Sequence, residues 1–389
     1  MAARQYDHIS ADGNARQQNG DTYNTTTNHY HAPQTEKQSL GLLHAALDGN
    51  LGRIKFLVEQ RGVDFETEDD DGLTALHCAA WSGFQECVEY LMQKGAYVHH
   101  RSDVYGSPLT LAALRGQLDL FDGPFKLDNI KAGASAFTGG RLGSPLHALL
   151  MRKMPSLAQA MDQILQLLLE AGAPINSKEK IYWDLAKRVG RTLLPRRGST
   201  PMQMGKFILT TTPLHLAVQA WPHLIDVLLR YGADVNAQQS FNRPPDHIDG
   251  ATPLMLACGV EAFSRLLERP EIDSHHQDSR GCNASMWAAA TNSYDILERM
   301  LEQQMASDPR CIDCVNKAGE TSLITAAARG HVNCVDVLLR RGCRVDVKDK
   351  SGRTALMHAT ERGHDDCVTA IKRSEKERRE NGGHLSIGG

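Results

Sequence analysis

One stretch of the sequence has every feature of a small unit made of two helices joined by a turn. Thr212 is a residue type that caps helix N-termini, and Pro213 follows at the first helical position, where a missing N–H costs nothing. A second apolar helix, centred on residues 227–229, is followed by Gly232, as a left-handed C-cap requires. Neither short helix can bury its apolar face alone. The unit therefore predicts neighbours of the same kind.

Copies of this unit recur along the chain. Thr74 and Ser107 begin two of them 33 residues apart, and Thr321 and Thr354 begin two more at the same spacing. The remaining openings stand at Leu43, Ser144, Thr252 and, in degraded form, Gly281. Together with the opening at Thr212 they give about nine units between residues 39 and 374.

A helix-pair unit of this period resembles the ankyrin repeat, whose T-P-L-H-x-A signature stands nearly intact from Thr212 to Ala217. The resemblance implies an all-α solenoid of about nine helix-turn-helix units with irregular insertions. It also implies a non-catalytic scaffold or adaptor that binds a protein partner. The partner is expected on the concave face, which is built from the first helices and from the finger loops that join one repeat to the next.

Composition divides the chain into three parts. Residues 1–37 are rich in Asn, Gln, Thr, His and Gly and cannot bury enough apolar surface to order themselves, so they predict a disordered polar tail. The array is expected over residues 38–374, with insertions near 122–142, 178–208 and 237–248. Residues 375–389 are expected to form a charged, flexible C-terminal tail.

A second function class rests on the N-terminal tail. Residues 13–23 resemble short Gly/Asn motifs that precede ankyrin and NOD-like-receptor domains in filamentous fungi, some of them related to amyloid signalling motifs. Asn and Gln side chains can stack in cross-β form, so self-assembly is physically permitted. The alternatives are an inert tail on an adaptor and a self-assembling motif on an intracellular signalling or regulatory component.

Net charge and cysteine content limit the classes of partner and the cellular compartments that are expected. The net charge of -3 and the pI near 6.6 give no electrostatic reason to expect nucleic acid or an anionic membrane. No apolar run approaches the roughly 20 residues of a membrane helix. Nine cysteines without an apolar leader point to a reducing compartment, so the cytosol or the nucleus is expected.

Histidine and cysteine recur at equivalent positions of the repeats, where their spacing resembles that of metal ligands. The histidines at 44, 77, 147 and 215 share one position in the repeat, but stacked helices lie about 8–10 Å apart, too far for shared coordination of zinc. The resemblance gives this histidine a structural role, bonding to backbone between units. Cys311 and Cys314 imitate a zinc spacing, whereas Cys87, Cys334 and Cys367 share one core position, where cysteine acts as a small apolar residue. We expect no metal, no cofactor, no small-molecule substrate and no catalysis.

The strongest candidate for a partner-binding site lies in the second and third repeats. Trp81 is predicted to leave apolar surface exposed and to anchor a partner, and the alternative is that it packs on the first repeat. The other residues of this candidate site are Phe84, Tyr97, Tyr105 and Arg115. Ser199 follows Arg196 and Arg197 in an insertion and is a candidate phosphorylation site.

Overall fold

A computed structural model describes residues 32–126, 139–151, 158–182, 208–243, 246–257, 259–307 and 309–382. Helices follow one another in pairs along these residues. The pairs are α1 (Ala32–Leu47) and α2 (Leu51–Lys55), α3 (Ala75–Ser82) and α4 (Gln85–Gln93), α5 (Pro108–Arg115) and α6 (Leu118–Asp122), α7 (Pro145–Met151) and α8 (Ala158–Glu170), α9 (Pro213–Ala220) and α10 (Ile225–Arg230), α11 (Pro253–Leu256) and α12 (Val260–Leu267), α13 (Ala284–Ala290) and α14 (Tyr294–Ser307), α15 (Ser322–Arg329) and α16 (Val332–Arg340), α17 (Ala355–Glu361) and α18 (Asp365–Gly382).

From the second repeat onward a polar residue precedes the first helix, but its side chain is used in two ways. Thr321 accepts a hydrogen bond from the backbone N–H of Ile324, as an N-cap does. The hydroxyl of Thr212 instead lies 2.7 Å from the Nδ1 atom of His215. Neither Thr212 nor Thr252 makes a side-chain cap bond to backbone, so the expectation that Thr212 caps its helix through the hydroxyl is wrong.

Glycine ends several of the first helices, because the chain must turn sharply into the second helix. Gly83, Gly116 and Gly330 are C-cap residues with φ of 82°, 68° and 74°, a conformation that a Cβ atom disfavours. The turn brings the two helices of each pair into contact, as α3 lies against α4 and α15 against α16.

The core runs through the stacked pairs rather than forming one globular centre. Each first helix contacts the first helix of the adjacent repeat, so α3 lies between α1 and α5. Ala79 and Ala80 of α3 are fully buried, and the small side chains allow close helix contact. This nearest-neighbour stacking is the arrangement expected of a solenoid.

A four-stranded antiparallel sheet interrupts the helical pattern. Its strands are β1 (Glu179–Tyr182), β2 (Ile208–Thr211), β3 (Gln239–Arg243) and β4 (Asp246–Ala251), paired in that order. The register places Ile181, Leu209, Phe241 and Ile248 side by side, one from each strand. The predominantly helical repeat fold is confirmed, but the all-α expectation did not include this sheet, which is built at the insertions 178–208 and 237–248.

The helices α1, α6 and α18 lie at three of the segment boundaries that the sequence predicts. Helix α1 begins at Ala32, within the segment 1–37, and α18 continues to Gly382, within the segment 375–389. Helix α6 is five residues long and ends at Asp122, where the sequence predicts a break before the insertion 122–142. Residues 13–23 and most of that insertion lie outside the described residues.

Candidate protein-binding surface

Four of the fingers share one turn, which is closed by an acidic or amide side chain. In the finger before α13, Oδ1 of Asp278 accepts hydrogen bonds from the backbone N–H groups of Arg280 and Cys282, each at 2.9 Å. Asp69, Asn316 and Asp349 make the same pair of backbone bonds in other fingers. Side-chain bonds of this kind stabilise a turn locally, so each of these four fingers has a defined tip.

Successive fingertips are joined by backbone hydrogen bonds. The N–H of Lys317 donates to the carbonyl of Arg280 at 2.8 Å, and the N–H of Lys350 donates to the carbonyl of Ala318 at 2.9 Å. Glycine is needed at this junction, because a Cβ atom on Gly281 would lie 3.0 Å from the backbone nitrogen of Lys317. The fingertips from Arg280 to Lys350 therefore form one continuous row.

Buried histidines connect the helices of one repeat to the backbone of the next. His215 is the third residue of α9, and its Nε2 atom lies 3.1 Å from the carbonyl oxygen of Ala251. A carbonyl oxygen can only accept, so Nε2 carries the proton and Nδ1 accepts from the hydroxyl of Thr212. The same pairs of contacts occur for His77 with Thr74 and Gly106, and for His147 with Ser144 and Thr211.

Burial determines the charge state of these rings. Desolvation lowers the pKa of His77 to about 3 and the pKa values of His147 and His215 to about 4. The three imidazoles are therefore neutral at physiological pH and act as hydrogen-bonding connectors. His44 differs from the expected pattern, because it is exposed and its Nδ1 atom lies 2.7 Å from the carbonyl of Leu40 in its own helix.

Trp81 is not the exposed anchor that the sequence predicts. Its exposed fraction is 7%, and the guanidinium carbon of Arg115 lies 4.7 Å from its ring centroid. Gln117 donates a hydrogen bond to its backbone carbonyl at 3.0 Å. Both residues come from the following repeat, so that repeat covers the indole. Tyr105 is also buried, with 6% exposed. The expected exposure is therefore wrong for Trp81, and Tyr105 has little surface to offer a partner.

Phe84 and Tyr97 do expose aromatic surface, with exposed fractions of 40% and 55%. They lie at opposite ends of the second repeat, since Phe84 precedes α4 at the inter-helix turn and Tyr97 lies in the finger after α4. The backbone N–H of Tyr97 donates to Glu66 of the preceding finger at 2.7 Å. Helix α4 has nine residues and separates the two rings by roughly 13 Å along its axis. The five candidate residues do not form one patch.

A second group of surface residues was not singled out from the sequence. Trp287 of α13 is half-buried, its Nε1–H donates to Asp278 at 3.0 Å, and the guanidinium carbon of Arg280 lies 5.5 Å from its ring centroid. Lys317 and Lys350 lie on the next two fingertips and are exposed. Their spacing of 33 residues was a usable signal, because it places both lysines at the same position of successive repeats.

The cysteine column lies in the core, as its shared position predicts. Cys87, Cys334 and Cys367 are each at most 1% exposed, and burial raises the pKa of Cys334 to about 12. Among the described residues, no three or more His, Cys, Asp or Glu side chains are arranged to hold a metal ion. No described helix has the length and apolar character needed to cross a membrane. Ser199 lies outside the described residues.

Comparison with known proteins connects this architecture to a family. A family model described as ankyrin repeats matches residues 21–103, 42–122, 214–313 and 286–379, which together cover more than half of the chain. Among curated fungal proteins, ankyrin repeat domain-containing protein SAT10 of Stachybotrys chartarum is 26% identical over 292 residues, which are 72% of this chain and 14% of that protein.

Two further relatives are a second fungal ankyrin-repeat protein and a mammalian regulatory subunit. Ankyrin repeat protein nuc-2 of Neurospora crassa is 25% identical over 266 residues, which are 65% of this chain and 23% of that protein. Protein phosphatase 1 regulatory subunit 27 of Mus musculus is 36% identical over 72 residues, which are 18% of this chain and 47% of that protein. The matched regions thus span less than half of the length of each of these three relatives.

Proposed function

Because the chain belongs to the ankyrin-repeat family, we propose that it is a non-catalytic adaptor that binds a protein partner through its concave face and finger loops. Ankyrin repeats generally mediate protein–protein interaction, and the family is generally non-catalytic. The proposal takes the array to contain nine units, one for each opening found in the sequence. One relative is by name a regulatory subunit of a phosphatase, which is a role consistent with an adaptor.

The continuous row of fingertips is the observation that carries this proposal. Backbone hydrogen bonds between neighbouring fingers restrict their relative movement, so the exposed side chains on the row are held in place before a partner arrives. A surface that is ordered in advance loses less conformational entropy on binding. Tyr97 presents an exposed aromatic ring on this side of the array, and tyrosine is a residue type enriched in binding hot spots.

The candidate residues of the second and third repeats then have two different roles. In the proposal, Phe84 and Tyr97 contact the partner directly, because they expose aromatic surface. Trp81, Tyr105 and Arg115 act by packing, since they fix the second repeat against the third. The guanidinium of Arg115 stacked over the indole of Trp81 is a contact that orients both repeats.

The proposed compartment is the cytosol or the nucleus. Cys87, Cys334 and Cys367 serve as small apolar residues within the core, which is compatible with a reducing environment. The proposed partners are proteins, and the chain is not proposed to bind a small-molecule substrate, a cofactor or nucleic acid. The net charge of -3 supports the last point.

The proposal is tested by partner capture with a matched pair of tyrosine variants. Tyr97 and Tyr294 have exposed fractions of 55% and 40%, but Tyr294 begins α14 in the seventh helix pair, whereas the proposed contacts Phe84 and Tyr97 belong to the second. Affinity purification of the full-length chain followed by mass spectrometry is expected to recover specific proteins. Tyr97→Ser should lower their recovery severalfold, whereas Tyr294→Ser should leave it unchanged.

Each outcome has a defined meaning for the proposal. Equal recovery with both variants would remove Tyr97 from the binding surface. Failure of the parent chain to recover any protein above an unrelated bait would contradict the adaptor function itself. Circular dichroism melting of both variants checks that the array remains folded.

A further inference from the structure

The fingertips of the three C-terminal repeats carry basic side chains in a row. Arg280, Lys317 and Lys350 occupy successive tips, and the backbone bonds from Lys317 to Arg280 and from Lys350 to Ala318 keep these tips adjacent. Arg280 is 45% exposed in its side chain, and both lysines are exposed. We call these three residues, together with Trp287, the basic strip.

The fingers at the two ends of the array have opposite charge. The finger at residues 61–74 contains six acidic residues and one arginine, whereas the finger at residues 341–354 contains five basic and two acidic residues. Several arginines of the latter finger are already paired, since Arg341 contacts Glu298 and Glu302, and Arg344 contacts Asp346. Among the described residues, Lys317 and Lys350 make no ion pair, so their charges are available to a ligand.

Trp287 adds an apolar wall at one end of the strip. Its indole N–H is held by the buried carboxylate of Asp278, whose side chain is 0% exposed. The same carboxylate fixes the backbone of Arg280, and the guanidinium of Arg280 lies over the ring at 5.5 Å. These contacts fix the ring and the first basic group relative to each other, which is a feature of a preorganised binding surface.

We propose that the basic strip binds an extended, acidic segment of a partner protein. Successive repeats are separated by about 10 Å, and three residues of an extended chain span about the same distance. A ligand with carboxylates at this spacing therefore matches Lys317 and Lys350, while Arg280, whose guanidinium is paired with Asp278 at 3.4 Å, extends the strip toward Trp287. This inference deepens the proposed adaptor function, because it names the chemistry of the partner and the repeats that contact it.

A nucleic acid fits the strip less well than an acidic peptide. The chain is acidic overall, and carboxylates lie within the same fingers, at Glu320 and Asp346. A continuous polyanion would approach those carboxylates, whereas a peptide with spaced acidic residues can place neutral residues beside them. The fixed indole of Trp287 also suits contact with an apolar peptide side chain.

The probe is a fluorescein-labelled peptide with glutamate at every third of 13 positions and serine or alanine between them. Fluorescence anisotropy with the full chain at low salt should show saturable binding that weakens as salt is added, because exposed charges are screened. The same peptide with lysine in place of glutamate should not bind. A peptide with its glutamates in one block should bind more weakly than the spaced peptide.

Matched double variants assign the binding to the strip. Lys317→Gln with Lys350→Gln removes two charges from the fingertips, and Lys372→Gln with Lys376→Gln removes two exposed charges from α18. The fingertip variant should bind about tenfold more weakly, as expected for the loss of two exposed ion pairs. The α18 variant should bind within twofold of the parent chain.

Three outcomes would overturn the inference. The first is equal loss of affinity in the two double variants. The second is binding of a single-stranded oligonucleotide as tight as that of the peptide. The third is self-association of the chain in analytical ultracentrifugation that the fingertip variant abolishes, because the occupant would then be the acidic finger of a second copy. If the peptide fails while the chain still captures proteins in a manner dependent on Tyr97, the strip inference fails and the adaptor function stands.

Discussion

Each of the histidines at positions 77, 147 and 215 satisfies a buried backbone carbonyl of the next repeat and a hydroxyl of its own repeat. His215 illustrates the energetic consequence, since it is buried, neutral and bonded through both ring nitrogens. Protonation would place a charge in a desolvated site, which is why burial lowers its pKa to about 4. The unfolded chain, in contrast, protonates histidine near its ordinary value of about 6.5.

This difference predicts an acid-sensitive array. The folded pKa is below the unfolded pKa, so the stabilisation is fully present above about pH 6.5 and is lost as the pH falls toward 4. Between pH 6.5 and 5.5 each of the three histidines should lower the free energy of unfolding by about 1 kcal/mol. Urea unfolding at a series of pH values measures the effect. His215→Gln should flatten the pH dependence in this window, and an unchanged slope would contradict the assignment.

At the scale of single elements, the first helices differ in how their N-termini are satisfied. Thr321 caps α15 by accepting from the N–H of Ile324 at 3.2 Å, whereas Thr252 makes no side-chain cap bond at the start of α11. Thr321→Ala should therefore destabilise the array by about 1 kcal/mol, and Thr252→Ala by clearly less. Chemical denaturation of both variants measures this. Thr321→Ser, which keeps the hydroxyl, serves as the control, and equal losses at 321 and 252 would show that the cap bond has no energetic role.

The four-stranded sheet in the middle of the chain is an element that the sequence does not predict. Strand β2 pairs with β1 and β3, so its partners come from both sides of the helix pair α9 and α10. Pairing of this kind depends on register between distant segments, and no local pattern reports it. The sequence indicates only that residues 178–208 and 237–248 interrupt the repeat.

At the scale of the whole molecule, stability passes from repeat to repeat through neighbouring interfaces. The third repeat has the shortest second helix next to a long insertion, because α6 has five residues while α4 and α16 each have nine. We expect hydrogen exchange to be faster in α6 than in α16. Helix α4 is the control, since it is nearer the N-terminal end of the array. Fraying from that end would make α4 exchange faster than α6, and uniform protection would contradict the prediction.

The exposure of the candidate site residues could be predicted from the sequence only in part. Phe84 and Tyr97 are exposed, as a surface role requires, but the Trp81 ring lies beneath the guanidinium of Arg115 from the next repeat. Exposure of a side chain depends on which neighbour reaches it, and repeat spacing does not specify that neighbour. The lysines at 317 and 350 are recognisable from the sequence as equivalent positions, but the bond that joins the Lys317 backbone to Arg280, beside Trp287, is seen only in the folded fingers.

The sequence by itself determined the repeat, because its signals are local. Polar residues at helix starts, small residues inside first helices and glycines after them define the paired helices and the turns between them. Only the tertiary structure decided which surfaces remain available. The pairing of β2 with β3, the burial of Trp81 and the continuous row of fingertips all arise from contacts between residues that are 30 or more positions apart, as in the bond from Lys317 to Arg280. Such contacts depend on stacking geometry, which local sequence does not encode.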